Sequence, residues 1–105
     1  CGGVKALDAP PSRGTEPHIT AWLELSVTAR RRVLASGTAP EDVYLETIRA
    51  NVLLQCENLR SYPCVRELEQ AGGLSVHAWL YDLRSGVIEE YREASGTWES
   101  IAHSR

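Results

Sequence analysis

The stretch Leu74-Ser-Val-His-Ala-Trp-Leu-Tyr-Asp-Leu-Arg-Ser-Gly-Val-Ile-Glu-Glu-Tyr91 decides how the rest of the chain is organised. From Leu74 to Tyr81 two sets of side chains alternate, and a period of two residues is typical of a β-strand. Because both sets include large side chains, we expect both faces of this strand to be covered, as in the central sheet of an α/β protein. Arg84-Ser85-Gly86 predicts a turn, and Val87 to Tyr91 predicts a returning strand.

The composition is that of one small acidic domain. The chain has 105 residues, of which 43% are hydrophobic, and this is enough for one core. The formal net charge of −3 provides no basic field, so neither nucleic acid nor an anionic membrane is an expected partner. No apolar run approaches the roughly 20 residues that a membrane helix needs, and no signal-peptide pattern is present. We therefore expect a soluble, cytoplasmic protein.

The start of the chain is unusual for a domain. It begins with Cys1-Gly2-Gly3, and the sequence contains no methionine. Since a natural reading frame begins with methionine, we expect these residues to be the C-terminal part of a longer protein. The glycines predict a strand-to-helix turn with uncovered amides, and Val4 to Leu7 can form one helical turn after it. Prolines and a glycine between Asp8 and Pro17 predict a loop.

A first long helix is predicted after this loop. Apolar residues recur at helical spacing from Ile19 to Leu34, and Arg30-Arg31-Arg32 lies near the end. The arginines can be interpreted as a phosphate patch or as charge at a helix C-terminus that faces water. The second interpretation is favoured because the chain as a whole is acidic.

Two further helices are predicted before Leu74. One opens at Thr38 or at Pro40-Glu41-Asp42 and ends at Ser61-Tyr62 before Pro63, because the residue before a proline disfavours the helical conformation. The other runs from Pro63 to Ala71 and closes at Gly72-Gly73. The residues of the longer helix that share one apolar stripe, and are expected to be buried, are Leu45, Ile48, Val52, Cys56 and Leu59. After the hairpin we expect a tail in which Trp98 and Ile101 dock.

Cys1 is the position with the most suggestive chemistry. A thiolate ahead of two glycines would lie beside free amides, and thiolates are strong zinc ligands, but a catalytic zinc needs about three protein ligands. Cys56 and Cys64 lack metal-ligand spacing, so we expect core or partly buried thiols. His77 is expected to be satisfied inside the sheet rather than to act as a base or ligand. On residues alone, Tyr81 and the aspartate after it can be interpreted as a binding position at a strand end or as a plain strand terminus, and the second interpretation is favoured.

Three motifs are spread in order over nearly the whole chain. They are CGGVKAL at residues 1–7, NVxxQxxNLxxYPxV at residues 51–65 and HxWxYDxxxG at residues 77–86, with a helical segment containing Trp22 between the first two. Together they resemble the C-terminal half of the β-class carbonic anhydrases. One departure is Ala78, where the family usually has glycine. The resemblance implies an α/β fold, a mostly parallel sheet flanked by helices with a C-terminal antiparallel strand, and it implies that residues 1–105 are the C-terminal part of a single such domain.

The same resemblance implies a function and site residues. The family carries out the zinc-dependent, reversible hydration of carbon dioxide to bicarbonate and a proton. Cys1 matches a zinc ligand, and Gly2 matches the position whose amide faces the zinc-bound water or the substrate. Tyr81 matches a tyrosine that in some members joins a non-catalytic bicarbonate pocket. The remaining zinc ligands and an Asp-Arg pair belong to the family's N-terminal half, so we expect the 105 residues alone to be inactive. Carbon dioxide and bicarbonate are the implied partners, with assembly into a homodimer or larger homo-oligomer.

Two alternatives stay open at this stage. A non-catalytic relative would keep the fold as an assembly or bicarbonate-binding module. The same zinc site would also serve a related substrate such as carbon disulfide. A histidine three residues before Cys1 and an earlier Cys-x-Asp-x-Arg would favour the enzyme over the non-catalytic module.

Overall fold

The computed structural model describes residues 4, 5, 7 and 17–103 of the chain. The chain divides into two compact units, Cys1–Leu54 and Gln55–Arg105. In the described part of the chain, none of the helices has the length and apolarity needed to cross a bilayer.

Helices make up the described part of the first unit. Helix α1 covers Pro17–Ala35, a 3-10 turn covers Pro40–Asp42, and helix α2 runs from Val43 to Arg60, continuing into the second unit. The chain leaves α1 through Gly37, whose φ of 76° is a conformation that glycine adopts without strain. Proline at the first position of the 3-10 turn lacks the amide hydrogen that a helix start leaves unpaired. Both helices and the opening at Pro40 confirm the predictions.

The buried face of α2 differs from the predicted stripe. Thr47 and Leu54 are its buried residues, whereas Leu45 and Leu59 are exposed and the middle of the stripe is half-buried. Apolar spacing identifies which residues share a face, but the neighbouring elements decide which face is covered. Of the predicted α1 stripe, Val33 is buried, together with the adjacent Ala29, while Leu34 remains exposed.

Helix α3 covers Pro63–Gln70 and is the first element that lies wholly within the second unit. It ends as predicted at the two glycines. The Gly72 amide donates to the Glu69 carbonyl at 3.2 Å, and the Gly73 amide donates to the Leu68 carbonyl at 2.9 Å. With a φ of 78° at Gly72, this is the Schellman arrangement that satisfies the last carbonyls of a helix.

Arg60, the last residue of α2, forms ion pairs with a carboxylate of α3 and with a carboxylate of a later turn. Its Nε donates to Glu69 Oε1 at 3.1 Å in α3, and its Nη1 donates to Glu93 Oε1 at 2.7 Å, just after a strand. The hydrogen bonds that Arg60 donates to Glu93 and then to Glu69 raise the pKa of Arg60. Burial raises the pKa of the nearby Cys56 thiol, so this cysteine is held in its neutral form.

Three strands form one antiparallel sheet among the described residues, in the order β1-β2-β3. They are β1 Trp79–Tyr81, β2 Val87–Arg92 and β3 Thr97–His103. Trp79 pairs with Glu90 and Tyr81 with Ile88, and a register shift between Ile88 and Glu89 interrupts the β2–β3 pairing. Helices with this sheet confirm the α/β class and the C-terminal antiparallel strand.

Two details of the predicted hairpin are corrected. The ladder begins at Trp79 rather than at Leu74, and Trp79 and Tyr81 are exposed, so one face of β1 is not covered by described residues. β1 is also the edge strand of this sheet, so one of its two edges has no paired strand among the described residues. The expected tail is the full strand β3, in which Trp98 pairs with Tyr91 and their rings lie 5.6 Å apart.

Candidate functional site

The structure describes one of the three predicted site residues. Cys1 and Gly2 lie outside the described residues. Tyr81 is the last residue of β1, and its side chain is 47% exposed. Side chains two residues apart on a strand point to the same face, so Tyr81 shares its face with Trp79 and with Ile88 directly opposite.

Asp82 fixes the backbone immediately after Tyr81. Its carboxylate accepts the amide hydrogens of Arg84 at 2.8 Å and Ser85 at 3.3 Å, and its carbonyl accepts the Gly86 amide at 2.8 Å. Gly86 has a φ of 72°, as the turn requires. The amide hydrogen bonds from Arg84 and Ser85 hold the pKa of Asp82 below its usual value. The turn that sets the end of β1 is therefore stabilised by a charged side chain.

Polar side chains form a cluster on the face that carries Tyr81. We call His77, Trp79, Glu90, Arg92 and Glu99 the sheet-face cluster. The Trp79 indole donates from Nε1 to Glu90 Oε2 at 2.6 Å, and Arg92 Nη1 lies 2.7 Å from Glu90 Oε1. Arg92 Nε also donates to Glu99 Oε2 at 3.2 Å. The cluster joins β1, β2 and β3 by side-chain hydrogen bonds across the strands.

Glu90 is the centre of this cluster. Its side chain is only 12% exposed; its Oε2 accepts the Trp79 hydrogen bond, and its Oε1 forms an ion pair with Arg92. The Trp79 hydrogen bond, followed by the charge of Arg92, holds the pKa of Glu90 below its usual value. Glu90 therefore stays ionised and orients the indole that neighbours Tyr81 along the strand.

His77 does not lie inside the sheet, which corrects the prediction. It precedes β1, its side chain is 57% exposed, and its Nδ1 lies 3.2 Å from Glu90 Oε2. The prediction assumed a ladder from Leu74 with both faces covered, and the observed ladder starts two residues after His77. His77 therefore finds its polar partner, Glu90, outside the sheet.

The described residues do not by themselves fit a zinc ion. No three of their His, Cys, Asp or Glu side chains lie close enough together to hold a metal. Cys56 and Cys64 are free thiols; Cys56 is half-buried as predicted, whereas Cys64 is exposed, so the prediction of a core or partly buried thiol is wrong for Cys64. Cys64 follows Pro63 in the first turn of α3, a short helix with no buried residues.

Glu90 is the residue that inspection of the sequence missed. Its signal was available, because a turn between Tyr81 and Val87 places Glu90 opposite Trp79 in an antiparallel hairpin. A carboxylate opposite an indole can accept its hydrogen bond.

Comparison with known proteins gives a consistent result. Residues 1–88 match the family model described as carbonic anhydrase. A carbonic anhydrase of Pseudomonas aeruginosa is 34% identical over 97% of this chain and 47% of its own length. A carbonic anhydrase of Synechococcus elongatus is 33% identical over 90% of this chain and 36% of its own length. The solved structure of the β-carbonic anhydrase CcaA superposes with a TM-score of 0.83 at 28% identity, over 96% of this chain and 50% of that one. The chain thus spans half, or less, of the length of these relatives.

Proposed function

Because this chain belongs to the β-class carbonic anhydrases, we propose that its protein catalyses the zinc-dependent, reversible hydration of carbon dioxide to bicarbonate and a proton. The observation that carries the proposal is the match of nearly the whole chain, in sequence and in fold, to one half of such enzymes. We propose that residues 1–105 form the C-terminal part of a single domain whose other zinc ligands come from residues outside this chain.

Each site residue has a proposed role. Cys1 would supply one thiolate ligand to zinc. When zinc is bound, it would polarise a water molecule for attack on carbon dioxide. Gly2 offers its backbone amide to the substrate. The phenol of Tyr81, which the structure leaves half exposed at the end of β1, donates a hydrogen bond to bicarbonate away from the metal. Since the described residues do not make a zinc site by themselves, no step of the reaction is assigned to them.

Assembly and location belong to the same proposal. As the family implies, we expect a homodimer or larger homo-oligomer, and we propose the cytoplasmic location expected from the sequence.

The test of Cys1 uses the protein that carries these 105 residues together with any sequence that precedes them. Carbon dioxide hydration is followed by stopped flow with a pH indicator, and bound zinc by elemental analysis. Cys1→Ser should lower both activity and zinc content by more than about 100-fold. Removing a residue that only supports a metal ligand already lowers metal affinity or activity by about 10–100-fold, and removing the ligand itself should lower them more. Cys64→Ser is the matched control, because Cys64 is an exposed free thiol.

The outcomes separate the alternatives. A Cys1→Ser protein with unchanged zinc and activity would remove the assignment of Cys1. A wild-type protein that binds bicarbonate but neither zinc nor carbon dioxide would favour the non-catalytic module instead. The 105 residues alone should show neither stoichiometric zinc nor hydration activity.

Tyr81 is tested separately. Tyr81→Phe should keep hydration activity and weaken any inhibition by bicarbonate, because it removes one hydroxyl away from the proposed zinc ligand. Tyr62→Phe, at another exposed tyrosine, should change neither quantity. Equal bicarbonate responses in the wild type and in Tyr81→Phe would show that Tyr81 has no such role.

A further inference from the structure

Trp79 and Tyr81 are neighbouring aromatic side chains on one face of the edge strand β1. They lie two residues apart, and they are 53% and 47% exposed. An exposed side chain samples several rotamers, and it loses that freedom when a ligand requires one of them. A hydrogen bond that fixes one of these side chains before binding therefore makes the loss smaller.

Glu90 makes such a hydrogen bond with Trp79. It lies directly opposite Trp79 in β2, and its Oε2 accepts the indole Nε1 hydrogen at 2.6 Å. Its other oxygen, Oε1, lies 2.7 Å from Arg92 Nη1. Because the Glu90 side chain is only 12% exposed and both of its oxygens are engaged, the carboxylate has little freedom to leave the indole. The Trp79 ring is thus held in place on this face.

The pairing of β2 with β3 places Glu90 where stability alone would not favour a carboxylate. Glu90 lies directly opposite Glu99, and like charges in that arrangement destabilise a sheet. Arg92 offsets the repulsion because its Nη1 pairs with Glu90 and its Nε donates to Glu99. Local conflicts of this kind are expected at functional positions, so the placement of Glu90 favours a functional role.

Glu90 and Tyr81 are neighbours across the two strands. Tyr81 pairs with Ile88, so Glu90 is the diagonal neighbour of Tyr81 on the same face. Diagonal neighbours lie about 7–8 Å apart, within reach of aromatic and long side chains. The Trp79 indole that Glu90 holds therefore fills space on this face that the phenol of Tyr81 would otherwise sample.

We propose that Glu90 is a positioning residue for Tyr81: by fixing the Trp79 indole, it restricts the phenol to orientations in which it donates to bicarbonate. This inference rests on the bicarbonate role proposed for Tyr81. Glu90 acts through Trp79 and does not bind the anion itself, because an ionised carboxylate repels an anion.

The experiment uses the protein that carries these 105 residues together with any sequence that precedes them. Carbon dioxide hydration is followed by stopped flow at increasing bicarbonate, and each variant's inhibition constant is taken relative to its own uninhibited rate. Glu90→Ala should raise this constant about two- to tenfold, the range expected when binding must immobilise one more side chain. Glu90→Gln keeps the shape and an acceptor oxygen, so its constant should lie between those of Glu90→Ala and the wild type. Glu67→Ala, at an exposed carboxylate of α3, is the control and should not change the constant.

Two double variants separate positioning from a general structural effect. Trp79→Phe removes the indole N–H and keeps an aromatic ring, so adding it to Glu90→Ala should raise the constant by less than about twofold further. In a Tyr81→Phe background, Glu90→Ala should also add less than about twofold, because the hydroxyl that Glu90 positions is absent.

Tryptophan labelled with 15N gives a second readout of the same proposal. The indole N–H resonance of Trp79 is identified by its absence in Trp79→Phe. It should shift in Glu90→Ala, which removes its acceptor, and it should keep its position in Glu67→Ala.

The outcomes distinguish this inference from the proposed function. Bicarbonate inhibition that depends on Tyr81 but is equal in Glu90→Ala and the wild type would refute the positioning role alone. Effects of Glu90→Ala and Tyr81→Phe that simply add would also refute it, because Glu90 would then act independently of Tyr81. A wild type without bicarbonate inhibition, or one that Tyr81→Phe leaves unchanged, would refute the role of Tyr81 and this inference with it.

Discussion

Replacing Thr47 by valine should stabilise the protein. Thr47 is 1% exposed and its hydroxyl has no partner among the described residues, so the folded state has a desolvated hydroxyl that the unfolded chain leaves in water. An unsatisfied buried group of this kind destabilises by about 1–3 kcal/mol. Valine has nearly the same shape, and valine and threonine have similar helix propensities, so packing and helix formation should change little. We therefore expect the free energy of unfolding to rise by about 1–3 kcal/mol.

The measurement is equilibrium unfolding in urea, followed by far-ultraviolet circular dichroism at several protein concentrations. If the urea midpoint does not depend on protein concentration, the measured free energy of unfolding contains no contribution from self-association. A gain of 1 kcal/mol raises the melting temperature of a domain of this size by about 4–8 °C. Thr28→Val, at an exposed position in α1, should stay within about 0.5 kcal/mol of the wild type. A Thr47→Val protein no more stable than that control would mean that water already satisfies the hydroxyl, and the premise of an unpaired group would be wrong.

Three further predictions concern the second unit. Arg60→Ala should lower the free energy of unfolding by about 1 kcal/mol, given two partly exposed ion pairs, while Arg66→Ala should change it little; urea unfolding at low and high salt checks this. The folded-state pKa of Glu90 is below its usual value of 4.5, so the stability that ionised Glu90 contributes is present above pH 4.5 and is lost as pH falls through the folded-state pKa. Glu90→Gln should therefore make the melting temperature fall less steeply on acidification, and thermal melts at a series of pH values check this. An unchanged fall would contradict the prediction. Gly72→Ala should destabilise by about 1 kcal/mol because φ is 78° there, whereas Gly73→Ala has no such strain, and thermal melts of the pair would refute the assignment if they coincided.

Helix ends and turns could be predicted because local chemistry determines them. Pro40 opens the 3-10 turn, Pro63 begins α3, and Gly72 and Gly86 take positive φ values, each close to where the sequence pattern placed a boundary. A proline or glycine acts mainly on its own and adjacent residues, so no knowledge of distant contacts is needed.

Burial could not be predicted equally well, because it depends on neighbours distant in sequence. Thr47 is the most buried residue of α2 although it is polar, while Leu45 of the predicted stripe is exposed. Cys64 is exposed although cysteine is usually buried. Strand β3 was missed for a related reason: Glu99 and Ser100 interrupt its apolar residues, and its pairing to β2 is apparent only once β2 is placed.

Tyr81 owes its position to groups that lie within this chain. Asp82 closes the turn behind it, and Glu90 holds the Trp79 indole two residues before it, so hydrogen bonds restrain the residues on both sides. Tyr81 itself remains 47% exposed at the end of an edge strand. A phenol carried on a restrained strand gives up less freedom when it binds a small anion than one carried on a mobile loop. This preorganisation supports the bicarbonate role proposed for Tyr81, and it depends on Glu90, which belongs to none of the three family motifs.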